Sequence, residues 1–162
     1  MDSLIDNEKI GFDYKAIEPG YYDKVFQNGS GIQSKWHHLK FSHVLRRMDN
    51  YQSHLDIGCG PGTFIGLLDE NKTSVGIDVA PGQIDYAKKK YGSYNHRFEN
   101  MESVKELAFE KSSFDVVTLI EVIEHIPHAD VFDLLKESHR VLRSDGRILM
   151  TTPNYKSLWP LV

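Results

Sequence analysis

A single cysteine, Cys59, stands in this chain of 162 residues, so no disulfide can close within it and a bridge-braced fold is excluded. No long uncharged apolar run is present either. The most hydrophobic stretch, VVTLIEVI, carries a glutamate and falls far short of the roughly 20 residues that cross a bilayer. The opening MDSLIDNEKIGF has no basic region followed by an apolar one, so it does not read as a signal peptide. An excess of positive charge is also missing: 19 Lys and Arg against 23 Asp and Glu give a net charge of −4. That balance speaks against nucleic acid held by bulk electrostatics. There is no internal repeat and no low-complexity tract. What is left is the expectation of a soluble cytoplasmic protein with about one domain of chain, 40% of it hydrophobic. Oligomeric state stays open.

What is present is a rhythm of short strand, turn and helix. Residues 1 to 20 are polar, broken by Pro19-Gly20, and read as irregular or loosely attached. A short helix and a longer one follow, separated at Asn28-Gly29, with Ile32, Trp36, Leu39, His43 and Met48 as the apolar stripe of the second. Residues 1–49 are thus an N-terminal segment and helical cap, and residues 50–162 the core. In the core, SHLDI, TSVGID, YNHRFEN, FDVVTLIEV and RILMTTPN read as strands. Helices are expected over TFIGLLDEN, over APGQIDYAKKKYG, briefly around ESVKEL, and over HADVFDLLKESHRVL, closed by Ser144-Asp145-Gly146. This alternation calls for an α/β fold, a Rossmann-like doubly wound and mostly parallel sheet. Only YKSLWPLV follows Pro153, where such sheets often continue, so the expectation is of a sheet cut short after its fifth strand.

In a sheet of this kind ligands sit beyond the carboxyl ends of the strands, where HLDIGCGPGT falls. Three glycines in ten residues mean a sharp turn or a close approach of backbone to a ligand. The dinucleotide fingerprint G-x-G-x-x-G/A counted from Gly58 meets Thr63 at its third position, which disfavours an NAD-dependent oxidoreductase. What stands there is D-x-G-x-G-x-G: Asp56, Gly58, Gly60 and Gly62, with Asp78 twenty residues beyond Gly58 at the end of the second strand. This combination resembles the class I S-adenosylmethionine-dependent methyltransferases over roughly residues 51 to 155.

The resemblance implies S-adenosylmethionine as cofactor and S-adenosylhomocysteine as product. Gly58 and Gly60 would let backbone approach the methionine end, and Gly62 would let the next helix start close by. Asp56 suits the cofactor's ammonium, and Asp78, with Val79 beside it, the ribose hydroxyls; a cap for the following helix is the plainer role for Asp78. At the third strand's end Asn100 would meet the adenine amine and Met101 pack on the ring, unless both merely form a surface turn. Tyr22 resembles the aromatic residues that close over the cofactor in relatives with an N-terminal helical lid, with simple helix packing as the plainer role. Cys59 falls inside the cofactor loop and reads as small filler rather than a nucleophile. His37, His38 and His43 read as surface or packing residues, and Lys88, Lys89 and Lys90 as a solvated helix end.

After the fourth strand stands EVIEHIPH. If it turns into a helix, Glu121, Glu124 and His125 share one face, and two carboxylates with an imidazole could hold a divalent metal. E-x-x-E-H resembles a segment of terminal RNA ribose methyltransferases, where it ligates metal, and also one of ubiquinone-biosynthesis O-methyltransferases. Without a metal, Glu121 lines the cofactor site and His125 is either a general base or a hydrogen-bonded packing residue. The function expected is methyl transfer to oxygen on a small or lipid-like metabolite. Metal-assisted ribose methylation of an RNA end, or a cofactor-binding module without catalysis, are the alternatives.

Overall fold

In a computed structural model, which describes residues 16–154, five strands form one sheet in the order β3-β2-β1-β4-β5. They are β1 (Ser53–Ile57), β2 (Thr73–Asp78), β3 (His96–Asn100), β4 (Phe114–Ile120) and β5 (Leu142–Thr151). Every neighbouring pair is parallel. The chain thus runs outward from β1 through β2 to β3, then returns to β1's other side for β4 and β5. That reversal puts a crevice at the carboxyl ends of β1 and β4. β1 and β4 are buried on both faces, as the near-continuous apolar reading of FDVVTLI requires.

Helices cover both faces of the sheet. Leu55, Ile57, Val75, Ile77, Val117 and Leu119 point toward Leu134 and Val141 of α4 (His128–Val141). Phe98 and Val116 point the other way, toward Phe26 of α1 (Tyr21–Asn28), Phe41 and Val44 of α2 (Gly31–Leu45) and Ile84 and Ala87 of α3 (Pro81–Tyr91). α3 opens on Pro81, whose missing N–H costs nothing in a first turn, and stops before Gly92, as the sequence suggests. Among the described residues no helix is long and apolar enough to cross a membrane.

Four local expectations give way to tertiary contacts. α2 buries Ser34, His37, Phe41 and Val44, continued by Met48, while Ile32 and Leu39 of the expected stripe are half-exposed. The face is chosen by rings: Phe41 lies 5.5 Å from Phe26 and 5.3 Å from Phe64, centroid to centroid. TFIGLLDEN makes only a 3-10 turn, Ile65–Leu67, before Leu68 turns extended. A Cβ on Gly66 would sit 2.4 Å from the Tyr91 ring, so the segment folds tightly onto α3 rather than rising as a helix.

The ESVKEL helix is also absent. Arg140 of α4 donates to the carbonyls of Leu107 and Phe109 at 2.9 and 2.8 Å, and Glu137 accepts the Leu107 N–H at 2.9 Å. Backbone groups that a helix would satisfy are satisfied by α4 instead. Finally, Ser144-Asp145-Gly146 does not close α4. The helix ends at Val141, and Leu142 already pairs with Phe114; the next ladder partner of β4, Val116, faces Arg147, so residues 143–146 bulge out of β5. Of the terminal segments, residues 1–15 and YKSLWPLV from Tyr155 onward lie outside the described residues.

The cap is fastened to the core by one carboxylate. Asp23 of α1 is fully buried, and it accepts from Thr63 Oγ1 at 2.9 Å, Tyr86 OH at 2.8 Å and Tyr91 OH at 2.6 Å, and from the Lys90 ammonium. Burial alone would push its carboxyl up, but these four donors outweigh it and hold the pKa below its ordinary value. One residue gains a role here and one sequence expectation changes. Thr63, which breaks the dinucleotide fingerprint, is a tether to the cap, and Lys90 is an ion-pair partner rather than a solvated helix end.

Candidate functional site

A cavity of about 400 Å³ opens at the carboxyl ends of β1, β2 and β4, roofed by α1 and α2. Its floor is the loop after β1. The N–H groups of Gly58 and Cys59 both donate to the Ile77 carbonyl, at 2.8 and 3.0 Å, binding that loop to β2. The three loop glycines all have positive φ but do different things. A Cβ on Gly58 would meet Val122 Cγ2 at 2.5 Å, and one on Gly62 would meet Phe98 at 2.7 Å and Ala87 at 2.9 Å. On Gly60 a Cβ would meet nothing within 4 Å. Gly58 and Gly62 are therefore glycine for packing, whereas Gly60, on the cavity wall, leaves room for something outside the chain.

A pair of substitutions separates these roles. Gly62→Ala is expected to cost about 3 kcal/mol through overpacking and left-handed strain. Gly60→Ala should cost about 1 kcal/mol, from strain alone. Thermal melts of both variants check this, and equal losses would show the loop to be packed uniformly.

Two carboxylates flank the loop, Asp56 buried and Asp78 half-buried. Asp78 Oδ2 accepts the Gly60 N–H and Oδ1 the Ala80 N–H, each at 2.8 Å. The plainer helix-cap role is not found, since α3 has no side-chain cap bond and Asp78 reaches only Ala80, the residue before the helix; its carboxylate keeps further acceptor capacity. Burial raises the Asp78 pKa against these bonds. Asp56 is 2% exposed and accepts from Thr118 Oγ1 at 2.5 Å. Burial pushes its carboxyl up to about 7, with the charge of Asp78 adding and the Thr118 bond opposing.

A raised folded pKa means stability fully present below the ordinary carboxylate value of 3.8 and lost as pH climbs through about 7. Asp56→Asn should accordingly flatten the decline in melting temperature between about pH 4 and about pH 7. The same slope in both proteins would show Asp56 to be unperturbed.

Across the cavity, Glu121 follows β4 with φ of 56°, a conformation rarely adopted by a residue other than glycine. It is pinned to β5: its N–H reaches the Thr151 carbonyl at 3.1 Å, and Thr151 Oγ1 donates to Glu121 Oε1 at 2.8 Å. Residues Ile123–His125 then make only a 3-10 turn. The helix that would align Glu121, Glu124 and His125 does not form, because the left-handed residue at its start breaks the geometry. Among the described residues no group of three or more His, Cys, Asp or Glu is placed to hold a metal ion, which corrects the expected ligand triad. Glu124 and His125 do share the cavity wall, with His125 Nε2 3.8 Å from Glu124 Oε1. Burial lowers the His125 pKa, against the charge of Glu121, and raises that of Glu124.

Of the residues singled out from sequence, the wall gathers Tyr22, Asp56, Gly58, Cys59, Gly60, Asp78, Val79, Met101, Glu121, Glu124 and His125. Gly62 lies behind it, and Asn100 is exposed outside it at the end of β3. Cys59 is buried, its thiol pushed well above the ordinary value by burial, so it is no nucleophile at neutral pH. α2 adds Gln33 and Lys40, which the sequence did not mark, and Trp36 and His37, which it read as packing or surface residues; all four face the cavity. Their spacing of three, four and seven is one helical face and was open to view, but mixed polarity hid it. Burial drops His37 to about 4 and lowers Lys40 as well.

With this geometry in view, known proteins can be compared. Residues 55–150 match the methyltransferase domain family, well over half of the chain. The chain belongs to that family. It is 30% identical to a ubiquinone biosynthesis O-methyltransferase of Xanthomonas oryzae pv. oryzae, over 78% of this chain and 55% of that protein. It is also 30% identical to a demethylmenaquinone methyltransferase of Lactococcus lactis, over 97% of this chain and 66% of the relative. The crystal structure of the PH0226 protein from Pyrococcus horikoshii superposes with a TM-score of 0.70 at 28% identity, covering 86% of this chain and 65% of that one. The chain therefore spans about half to two thirds of the length of these relatives. As a member of the methyltransferase domain family it carries the family match from β1 to the end of β5, the stretch that builds the cavity floor.

Proposed function

We propose that this chain is the cofactor-binding core of an S-adenosylmethionine-dependent methyltransferase acting on an oxygen of a small or lipid-like metabolite. The observation that carries the reading is the convergence, on one cavity, of the open position at Gly60 with the carboxylates of Asp56 and Asp78 and the imidazole of His125. Asp78, held by backbone N–H groups of the loop and of Ala80, keeps acceptor capacity on its carboxylate for the hydroxyls of a ribose. Asp56 lies under the loop, where an ammonium would ionise it and be held by it. Met101, whose N–H is tied to the Asp78 carbonyl at 2.8 Å, and Val79 offer apolar surface to the adenine. Asn100 would reach the adenine amine only from outside the cavity wall. Tyr22 and Trp36 close the roof as the lid of the core.

S-adenosylmethionine supplies an electrophilic methyl group and leaves as S-adenosylhomocysteine. The chain's part is to hold the acceptor oxygen in line and to take its proton. His125, with its pKa lowered by burial, is neutral at physiological pH and can take that proton, and Glu124 beside it would stabilise the resulting imidazolium. Glu121, pinned by Thr151, fixes the turn from which His125 projects. Two relatives, one named a ubiquinone biosynthesis O-methyltransferase and one a demethylmenaquinone methyltransferase, support a lipid-like acceptor. Transfer of labelled methyl from the cofactor to a metabolite extract tests the reading. His125→Ala is expected to slow that transfer about 100-fold or more while cofactor affinity stays unchanged. Full activity in the variant would remove the base role.

A further inference from the structure

One face of the sheet carries a row of polar side chains directly beneath the cavity. Ser74 of β2, His54 of β1 and Thr118 of β4 are 0% exposed, and the row ends on Asp56. The ladder builds it: His54 lies opposite Ser74, and Asp56 opposite Thr118, while His54 and Asp56, two apart on one strand, share a face. His54 Nδ1 is 3.3 Å from Ser74 Oγ, His54 Nε2 is 2.8 Å from Thr118 Oγ1, and Thr118 Oγ1 is 2.5 Å from Asp56 Oδ1. The rings of Tyr51 and Phe64 close over the imidazole, each 6.0 Å away. A buried histidine where both flanking strands supply hydroxyls is an expensive choice for packing alone.

Counting protons gives the row a direction. Burial holds His54 neutral, at about 3, so its ring carries one N–H. An ionised Asp56 only accepts, so the single Thr118 hydroxyl proton points to it; Thr118 must then accept from His54 Nε2–H, and Nδ1 from Ser74. If Asp56 is protonated, every bond can reverse and the ring proton moves to Nδ1. We infer that His54 is a positioning residue which, acting through Thr118, holds Asp56 as an ionised acceptor for the cofactor's ammonium group. This rests on the cavity being an S-adenosylmethionine site. Asp78 from β2, Cys59 from the loop, His37 and Lys40 from α2 and Glu121 after β4 share the cavity with Asp56, and His96 of β3 faces His54. None of them bonds to the row.

Nitrogen NMR of the imidazoles in the ligand-free protein reads the coupling directly. His54 should be the Nε2–H tautomer at alkaline pH and pass to Nδ1–H with a midpoint near about 7, where burial places Asp56. In Thr118→Val the tautomer should stop following pH, and Thr118→Ser should restore it. A constant tautomer in the native protein overturns the inference. For binding, His54→Leu and Thr118→Val should weaken S-adenosylmethionine ~10-fold near neutral pH, as one unit of pKa shift implies, and leave methylthioadenosine, which lacks the ammonium, unaffected. Equal losses for both ligands would mean a merely structural role and also overturn it. Should neither ligand bind the native protein, the cofactor reading fails, while the tautomer titration still decides the link between His54 and Asp56.

Discussion

Asp78→Ala is expected to weaken S-adenosylmethionine binding by at least ~100-fold, the largest effect of any single substitution in the cavity, because two charge-assisted hydrogen bonds are lost together. The side chain does two jobs at once. It accepts the N–H groups of Gly60 and Ala80, so it sets the distance between the loop and the start of α3, and it presents its remaining lone pairs to the cavity. Truncation therefore removes the proposed ribose acceptor and unties the floor. Asp78→Asn helps to tell these apart. An amide can still accept the Ala80 N–H through one oxygen, but its NH2 would face the Gly60 N–H, so affinity should fall nearly as far while less stability is lost. Calorimetry of both variants alongside thermal melts makes the measurement. Native affinity in either one would show that the carboxylate serves only the fold.

Asp23→Ala should lower stability by about 3 kcal/mol, more than any surface change on the same helix. The carboxylate is fully buried and joins four donors: Thr63 from the loop, and Tyr86, Lys90 and Tyr91 from α3. Its removal leaves two tyrosine hydroxyls and a threonine hydroxyl without their acceptor, while the Lys90 ammonium, 38% exposed, can turn to water. That partial escape keeps the loss at the lower end for a broken buried pair. The pH dependence has a definite sign. A folded pKa held below the ordinary 3.8 contributes stability that is present above that value and is lost as pH falls through the depressed one. Acid unfolding should therefore be less steep in Asp23→Asn than in the native protein. A melting temperature unchanged by Asp23→Ala would contradict the latch, and an unchanged acid limb would contradict its ionisation.

Both effects bear on what a sequence reveals. The strands were legible because short segments bounded by turn residues alternate with helical ones, and β1 to β4 lie where the pattern puts them, although β3, HRFEN, has little apolar content. The glycine loop was legible because few side chains tolerate positive φ, yet the reason for each glycine was not. That Gly58 packs on Val122 while Gly60 faces open space depends on residues more than 60 positions apart. The helices that failed did so through distant partners: Arg140 claimed the carbonyls of Leu107 and Phe109, and Tyr91 closed on Gly66. Glu121, Glu124 and His125 looked like a helical face only because periodicity cannot see a left-handed residue at the start. Asp23 and His54 left no signal at all. A buried acid and a buried histidine are written like exposed ones, and only the packed sheet and helices show what surrounds them.

The cavity's central role is tested most directly by calorimetry of the native chain with S-adenosylmethionine and, separately, with NAD. Saturable one-to-one binding of S-adenosylmethionine, with an enthalpy that varies with buffer as Asp56 releases its proton near about pH 7, is the expected result. Tight binding of NAD with none of S-adenosylmethionine would contradict it.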